Sequence, residues 1–187
     1  MDRQQASRIR ILWLSGVLLI ALLAFFLDAI RLPVENQSWS KSDSTWALPD
    51  LRRELHDVSI IYGRFGGRCD DYMLAEMTAR VAVGEGVEPK LLAALIAVES
   101  SCNPLAISRA GAIGLTQINV AVWAGEHGDW RGVNLFHEEQ NAEIGARILR
   151  RMIERYGLWL GVERYCGQGA EARAYVARIR KVMEGRR

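Results

Sequence analysis

Histidine and cysteine are scarce in this chain, three of each in 187 residues. His56, His127 and His137 are scattered, and none stands at metal-ligand spacing from Cys69, Cys102 or Cys166. No metal and no other cofactor is expected. A glycine-rich phosphate loop ending in Lys-Ser/Thr is also absent, which removes the common nucleotide-binding reading. Charge of one sign is lacking too: the formal net charge is +2, so no basic field supports a nucleic-acid partner. There is no internal repeat, no low-complexity block and no convincing strand pattern. Helical periodicity is the signal that remains.

The stretch Leu91–Ile118, LLAALIAVESSCNPLAISRAGAIGLTQI, stands out against that background. Glu88-Pro89 reads as a helix start, with proline at the first helical position, and Asn103-Pro104 as its stop, giving one helix from Pro89 to about Ser101. Leu92, Leu95 and Ile96 precede Glu99 at helical spacing, so the acid lies on the apolar face. It also sits in the last turn, where the negative end of the helix dipole disfavours a carboxylate. Burial and dipole both raise its pKa, and this is how a fold keeps a proton on a carboxylic acid near neutral pH. The plain alternative is a helix-terminal acid facing solvent.

At the N-terminus, Arg3, Arg8 and Arg10 precede an uninterrupted apolar run from Ile11 to Leu27, extended by Ala29 and Ile30. The run is at the lower end of what spans a bilayer. A cleavable signal peptide is the competing reading, but Phe25, Phe26 and Leu27 occupy the region where small residues would mark a cleavage site. A transmembrane signal anchor over 11–30 is therefore expected. Residues 1–10 form a basic segment on the cytoplasmic side, and the remainder lies outside the inner membrane. Residues 31–48 are polar and aperiodic and read as a tether. The remaining residues, 49–187, suffice for one helical domain.

Within that domain, LRRELHDVSIIYGR after Pro49-Asp50 reads as a short amphipathic helix. Asp70 or Asp71 caps a second through about Val83, with Met73, Leu74, Met77 and Val81 as its stripe. A short helix covers Val120–Ala124, and a long amphipathic one Glu138–Tyr156. Gly157 and Gly161 bracket a brief turn around Leu158–Leu160, and a final helix spans Ala170–Met183, with Tyr175, Val176 and Ile179 on one side. Cys102 follows the Glu99 helix and Cys166 lies in a glycine-rich turn, so a Cys102–Cys166 disulfide is one expectation and buried thiols the other.

Past Glu99 come Ser108, Gly111, Gly114 and Gln117. Glycines at these positions permit a tight turn and let a bulky ligand approach the backbone, while serine and glutamine supply neutral hydrogen-bonding groups. Neutral polar groups around one protonated acid suit a carbohydrate better than a phosphate or a metal ion.

The ordered set Glu99-Ser100, Pro104, Ala106, Ser108, Gly111-Ala112, Gly114-Leu115 and Gln117 resembles the first motif of the soluble lytic transglycosylase type of catalytic domain. Asn134-Leu135-Phe136 with Asn141 to Ala146 is similar to that family's second motif, and Tyr165 to the tyrosine of its third, with Cys166 where an asparagine is expected. The resemblance covers about Val87–Val176. It implies an all-α, lysozyme-like (goose-type) domain, here preceded by one N-terminal transmembrane helix. It also implies cleavage of bacterial peptidoglycan glycan strands, with Glu99 as the catalytic residue, Ser108 and Gln117 binding the sugar and its acetamide, and Tyr165 hydrogen-bonding near Glu99.

Most glycosidases need two carboxylates, yet no second acid lies between Glu99 and Gln117. The expected chemistry is therefore substrate-assisted, with Glu99 acting first as acid and then as base to leave a 1,6-anhydro end. Two alternatives stand beside it: a lysozyme-like hydrolase using water, for which Asp129 or Glu138 would serve as second acid, and a non-catalytic wall-binding component. The inner membrane is a further expected partner through the anchor, and an envelope-spanning secretion or conjugation apparatus is a candidate one.

Overall fold

The computed structural model describes residues 48–127 and 130–185. The expected anchor lies outside these residues, as does the tether except for Leu48. Among the described residues no helix is long and apolar enough to cross a membrane.

Seven α-helices make up the described chain: α1 (Leu48–Phe65), α2 (Tyr72–Glu85), α3 (Pro89–Ser100), α4 (Val120–His127), α5 (Glu138–Tyr156), α6 (Leu158–Cys166) and α7 (Ala170–Met183). One turn of 3-10 helix, Gly67–Cys69, joins α1 to α2. Among the described residues, extended pairing is limited to isolated bridges of Ile113 with Ile107 and Ile118 in the loop after α3.

Local chemistry sets the boundaries. Asp71 opens α2 by accepting hydrogen bonds from the amides of Met73 (2.8 Å) and Leu74 (3.3 Å), and Gly86 closes it in the left-handed region at φ 69°. Pro89 begins α3, where its missing N–H costs nothing. Helix α3 ends at Ser100, one residue short of the expected end, because Ser101 (φ 50°) and Cys102 (φ 60°) both adopt left-handed backbone.

Helix α3 is the centre of the domain. Pro89, Leu91, Leu92, Ala93, Ala94, Leu95, Ile96 and Ala97 are all buried, so it is enclosed on nearly every side. It packs against α1, α2 and α7, while α5 bridges α2 and α6, and α6 meets α7. Leu92, Leu95 and Ile96 are fully enclosed, and truncating any of them to alanine should cost about 2–5 kcal/mol. The helix is thus a rigid rod whose last turn carries Glu99.

Three details depart from the sequence reading. Met73 is 69% exposed, and the buried face of α2 is instead built from Leu74, Ala75, Met77, Thr78, Ala79, Val81 and Ala82. Gly161 lies inside α6 and does not bracket it. A Cβ there would come within 2.7 Å of the Ile153 backbone, so this glycine permits close helix packing. The disulfide joins Cys69 to Cys102, leaving Cys166 free at the exposed end of α6. The pairing follows from the fold: the turn after α1 reaches the end of α3, and both paired cysteines are buried.

Candidate active site

Glu99 is the penultimate residue of α3 and is only partly buried, at the edge of the core. Its carboxyl group is held above the ordinary value of 4.5, chiefly by burial; a hydrogen bond from Tyr175 and the nearby positive charge of Arg178 oppose that rise. The Tyr175 hydroxyl donates to Oε1 at 2.7 Å. Tyr175 is itself buried on α7, with its phenol driven well above its usual value by burial and by Glu99, so it remains a donor. The Arg178 guanidinium stands 5.9 Å from the Tyr175 ring centre, close to the limit of a cation–π contact. No carboxylate is among the groups that shift Glu99. Among the described residues, Glu99 is thus an acid that favours its proton beside two groups that stabilise the anion once the proton has left.

The loop between Ser101 and Asn119 is held by a fully buried asparagine on α5. Asn141 Oδ1 accepts from the Thr116 amide (2.8 Å) and hydroxyl (2.7 Å), and Nδ2 donates to the carbonyls of Ile113 and Leu135, both at 2.9 Å. Every polar valence of this side chain is used. Two glycines make the approach possible. A Cβ on Gly114, whose φ is +79°, would fall 2.1 Å from Asn141 Nδ2, and one on Gly145 would fall 2.4 Å from Thr116 Oγ1. At Gly114 the group admitted to the backbone is thus Asn141, where the sequence suggested a ligand.

The remaining predicted site residues lie in or beside this loop. Ser108 Oγ accepts from the Ala112 amide at 3.0 Å, which leaves its own proton free to donate. Gln117, in left-handed backbone (φ 51°), donates through Nε2 to Gly114 O (2.9 Å) and Ala106 O (3.3 Å), leaving Oε1 to accept. Tyr165 donates to the Thr116 carbonyl at 2.8 Å and has its ring centre 5.8 Å from that of Trp123. Its phenol is raised by burial and then by the charge of Glu99, so Tyr165 lies within the field of the acid. The tyrosine bonded to Glu99, however, is Tyr175. No hydrogen bond joins Glu99 to Ser108 or Gln117.

Cys166 faces the same group of charges. Its thiol is pushed up by desolvation and by Glu99, which keeps it protonated and poorly nucleophilic. Of the two acids considered as partners for Glu99, Asp129 lies outside the described residues and Glu138 is exposed at the first turn of α5. No His, Cys, Asp or Glu grouping suited to a metal ion occurs among the described residues. Sequence reading missed Tyr175 and Arg178 as parts of this site, and it placed Asn141 in a motif at the start of a helix without its role in holding the loop. A buried tyrosine needs a partner for its hydroxyl, which was the available signal for Tyr175.

Comparison with known proteins gives a consistent picture. Residues 76–177 match the Transglycosylase SLT domain family. The chain is 33% identical over 94 residues to the endo-type membrane-bound lytic murein transglycosylase A of Cronobacter sakazakii, covering 46% of this chain and 45% of that protein. The proteins of the same name from Klebsiella pneumoniae and Citrobacter koseri are 37% and 38% identical over 71 residues, covering 34% of this chain and 35% of each. The chain thus spans less than half the length of these relatives.

Proposed function

The chain belongs to the Transglycosylase SLT domain family, and we propose that it is a lytic transglycosylase of bacterial peptidoglycan with a lysozyme-like fold of the goose type. One observation carries the proposal: Glu99 stands at the end of the central helix with its Oε1 held by the Tyr175 hydroxyl at 2.7 Å, and among the described residues no second carboxylate acts on it.

The two steps follow from that environment. Glu99 gives its proton to the glycosidic oxygen between N-acetylmuramic acid and N-acetylglucosamine, and the C1–O bond breaks as the muramic acetamide oxygen closes on C1. The Glu99 carboxylate, stabilised by Tyr175 and Arg178, then takes the proton of the C6 hydroxyl. Oxygen O6 attacks C1, the acetamide leaves, and a 1,6-anhydro end forms with no water consumed. Burial favours the first step and the two anion-stabilising groups favour the second. The free Ser108 proton and Gln117 Oε1 are suited to the sugar and its acetamide. Tyr165 packs the loop beneath them.

The Cys69–Cys102 disulfide supports folding in an oxidising compartment. Together with the apolar run over 11–30 and the membrane-bound relatives, it favours a periplasmic domain anchored in the inner membrane. A wall-opening role beside an envelope-spanning secretion or conjugation apparatus fits that architecture. Incubating purified sacculi with the protein and weighing the released muropeptides tests the chemistry. Anhydro ends are expected, whereas reducing ends alone would indicate hydrolysis and overturn the proposal.

A further inference from the structure

Helices α6 and α7 border a groove of about 290 Å³, lined by Trp159 and Leu160 from α6 and by Arg173, Val176 and Arg180 from α7 among others. The Arg180 guanidinium stands over the Trp159 ring, 4.1 Å from its centre. Leu160 and Arg164 are one turn apart on α6, and Arg164 stands 5.6 Å from the ring centre of Tyr156, with Arg155 at 5.4 Å. Leu160 thus joins two arginine–aromatic clusters into one surface. Leu160 is 42% exposed and Tyr156 37%. None of these four arginines forms an ion pair with a described carboxylate, and Glu163 is the one acid lining the groove.

This surface is distinct from the candidate active site. Arg173, Val176, Ala177 and Arg180 share one side of α7, whereas Tyr175 and Arg178, which act on Glu99, lie on the other. A partner seated on the first side does not cover them. The chemistry of the surface points to an apolar–anionic boundary. Exposed leucine with tryptophan and tyrosine suits the headgroup level of a bilayer, and the arginine fork matches a phosphodiester. The groove is at the small end of ligand pockets, about 300–1,000 Å³, so it fits a headgroup better than a folded segment. The apolar run over 11–30 supplies such a bilayer, and the tether over 31–48 can carry α1 no farther than about 60 Å from that run.

Resting on the reading of that run as an anchor, we infer that the α6–α7 face docks on anionic phospholipid headgroups. Arg155, Arg164, Arg173 and Arg180 receive the phosphodiesters, while Tyr156, Trp159 and Leu160 sit among the headgroups. Docking holds the domain against the membrane with the Glu99 side of α7 left open.

The test uses the full chain in phosphatidylcholine vesicles with or without phosphatidylglycerol. A donor dye on Cys166, the one free thiol, reports energy transfer to headgroup-labelled lipid. Transfer should rise with phosphatidylglycerol and return to the phosphatidylcholine value in about 1 M salt, where the screening length is about 3 Å. Each arginine contributes about fivefold to docking, so Arg173→Glu with Arg180→Glu should lower the ratio of docked to undocked protein at least about 25-fold. The corresponding pair of lysine substitutions should keep the response. Melting curves and digestion of sacculi in detergent should match wild type in both variants. Equal transfer in the two lipids would overturn the inference, as would a glutamate variant that still responds to phosphatidylglycerol but no longer sediments with sacculi, since that assigns the cations to the wall. Failure of the anchor reading looks different: the wild-type chain would not float with phosphatidylcholine vesicles. In that case wild type, and not the glutamate variant, should float with phosphatidylglycerol vesicles; flotation of neither would overturn the docking face.

Discussion

Replacing Asn141 by alanine should destabilise the domain severely while leaving Glu99 chemically intact. The side chain is fully buried and makes four hydrogen bonds: two accepted from Thr116, one donated to Ile113 O and one to Leu135 O. Alanine satisfies none of them. The Thr116 hydroxyl keeps an acceptor in the Asn141 carbonyl at 3.2 Å, and the Ile113 carbonyl keeps the Ile118 amide at 2.9 Å, so two groups are orphaned: the Thr116 amide and the Leu135 carbonyl. At about 1–1.5 kcal/mol for each buried unpaired group, the loss is about 2–3 kcal/mol. For a domain of this size that lowers Tm by about 6–10 °C. Urea unfolding followed by circular dichroism gives the free energy, and a thermal scan gives Tm. Below the new Tm, turnover should fall too, because Thr116 precedes Gln117 and receives the Tyr165 hydroxyl. A loss under about 1 kcal/mol would refute the reasoning, since it would mean that the loop is not held by this side chain.

Other substitutions probe the acid and the covalent tie. Tyr175→Phe removes the bond that lowers the pKa of Glu99, so the alkaline limb of kcat/KM should move to higher pH and kcat should fall about tenfold; an unchanged pH profile would contradict this. Glu99→Gln should be more stable than wild type at neutral pH. The folded state keeps the Glu99 proton above its unfolded value, so wild-type stability falls as pH rises from 4.5 through the raised folded value. The advantage of glutamine should vanish in acid, and equal Tm values at every pH would rule out a burial-raised carboxyl. Replacing Cys69 and Cys102 by serine opens a link across a sequence separation of 33 and should cost about 3–4 kcal/mol, read from unfolding curves. Removing Cys166 should leave the unfolding curve within about 0.5 kcal/mol of wild type, as expected of an exposed residue outside the disulfide.

Much of this fold is legible wherever local rules act alone. The period of Glu138–Tyr156 matches α5 from end to end, and Pro89 marks the first residue of α3. Local rules fail where distant groups meet. Gly161 carries the local signature of a helix break, but packing against Ile153 keeps it inside α6. Cysteine spacing alone does not distinguish a Cys69–Cys102 link from the alternatives, because the pairing depends on where α1 ends relative to α3. The single acid was readable from its helical position and from the absence of another carboxylate before Gln117. Its hydrogen-bond partner was not, because Tyr175 comes from 76 residues away and no short pattern encodes that approach. Likewise the motif glycines suggested ligand access, whereas Gly114 admits Asn141 from α5.

The most direct test of the central claim is the mass of the products released from purified sacculi by the wild-type chain and by Glu99→Gln. A lone acid acting twice predicts muropeptides ending in 1,6-anhydro-N-acetylmuramic acid, lighter by one water than the hydrolysed form, and no release at all by the variant. Reducing ends from the wild-type protein, or anhydro products from Glu99→Gln, would contradict it.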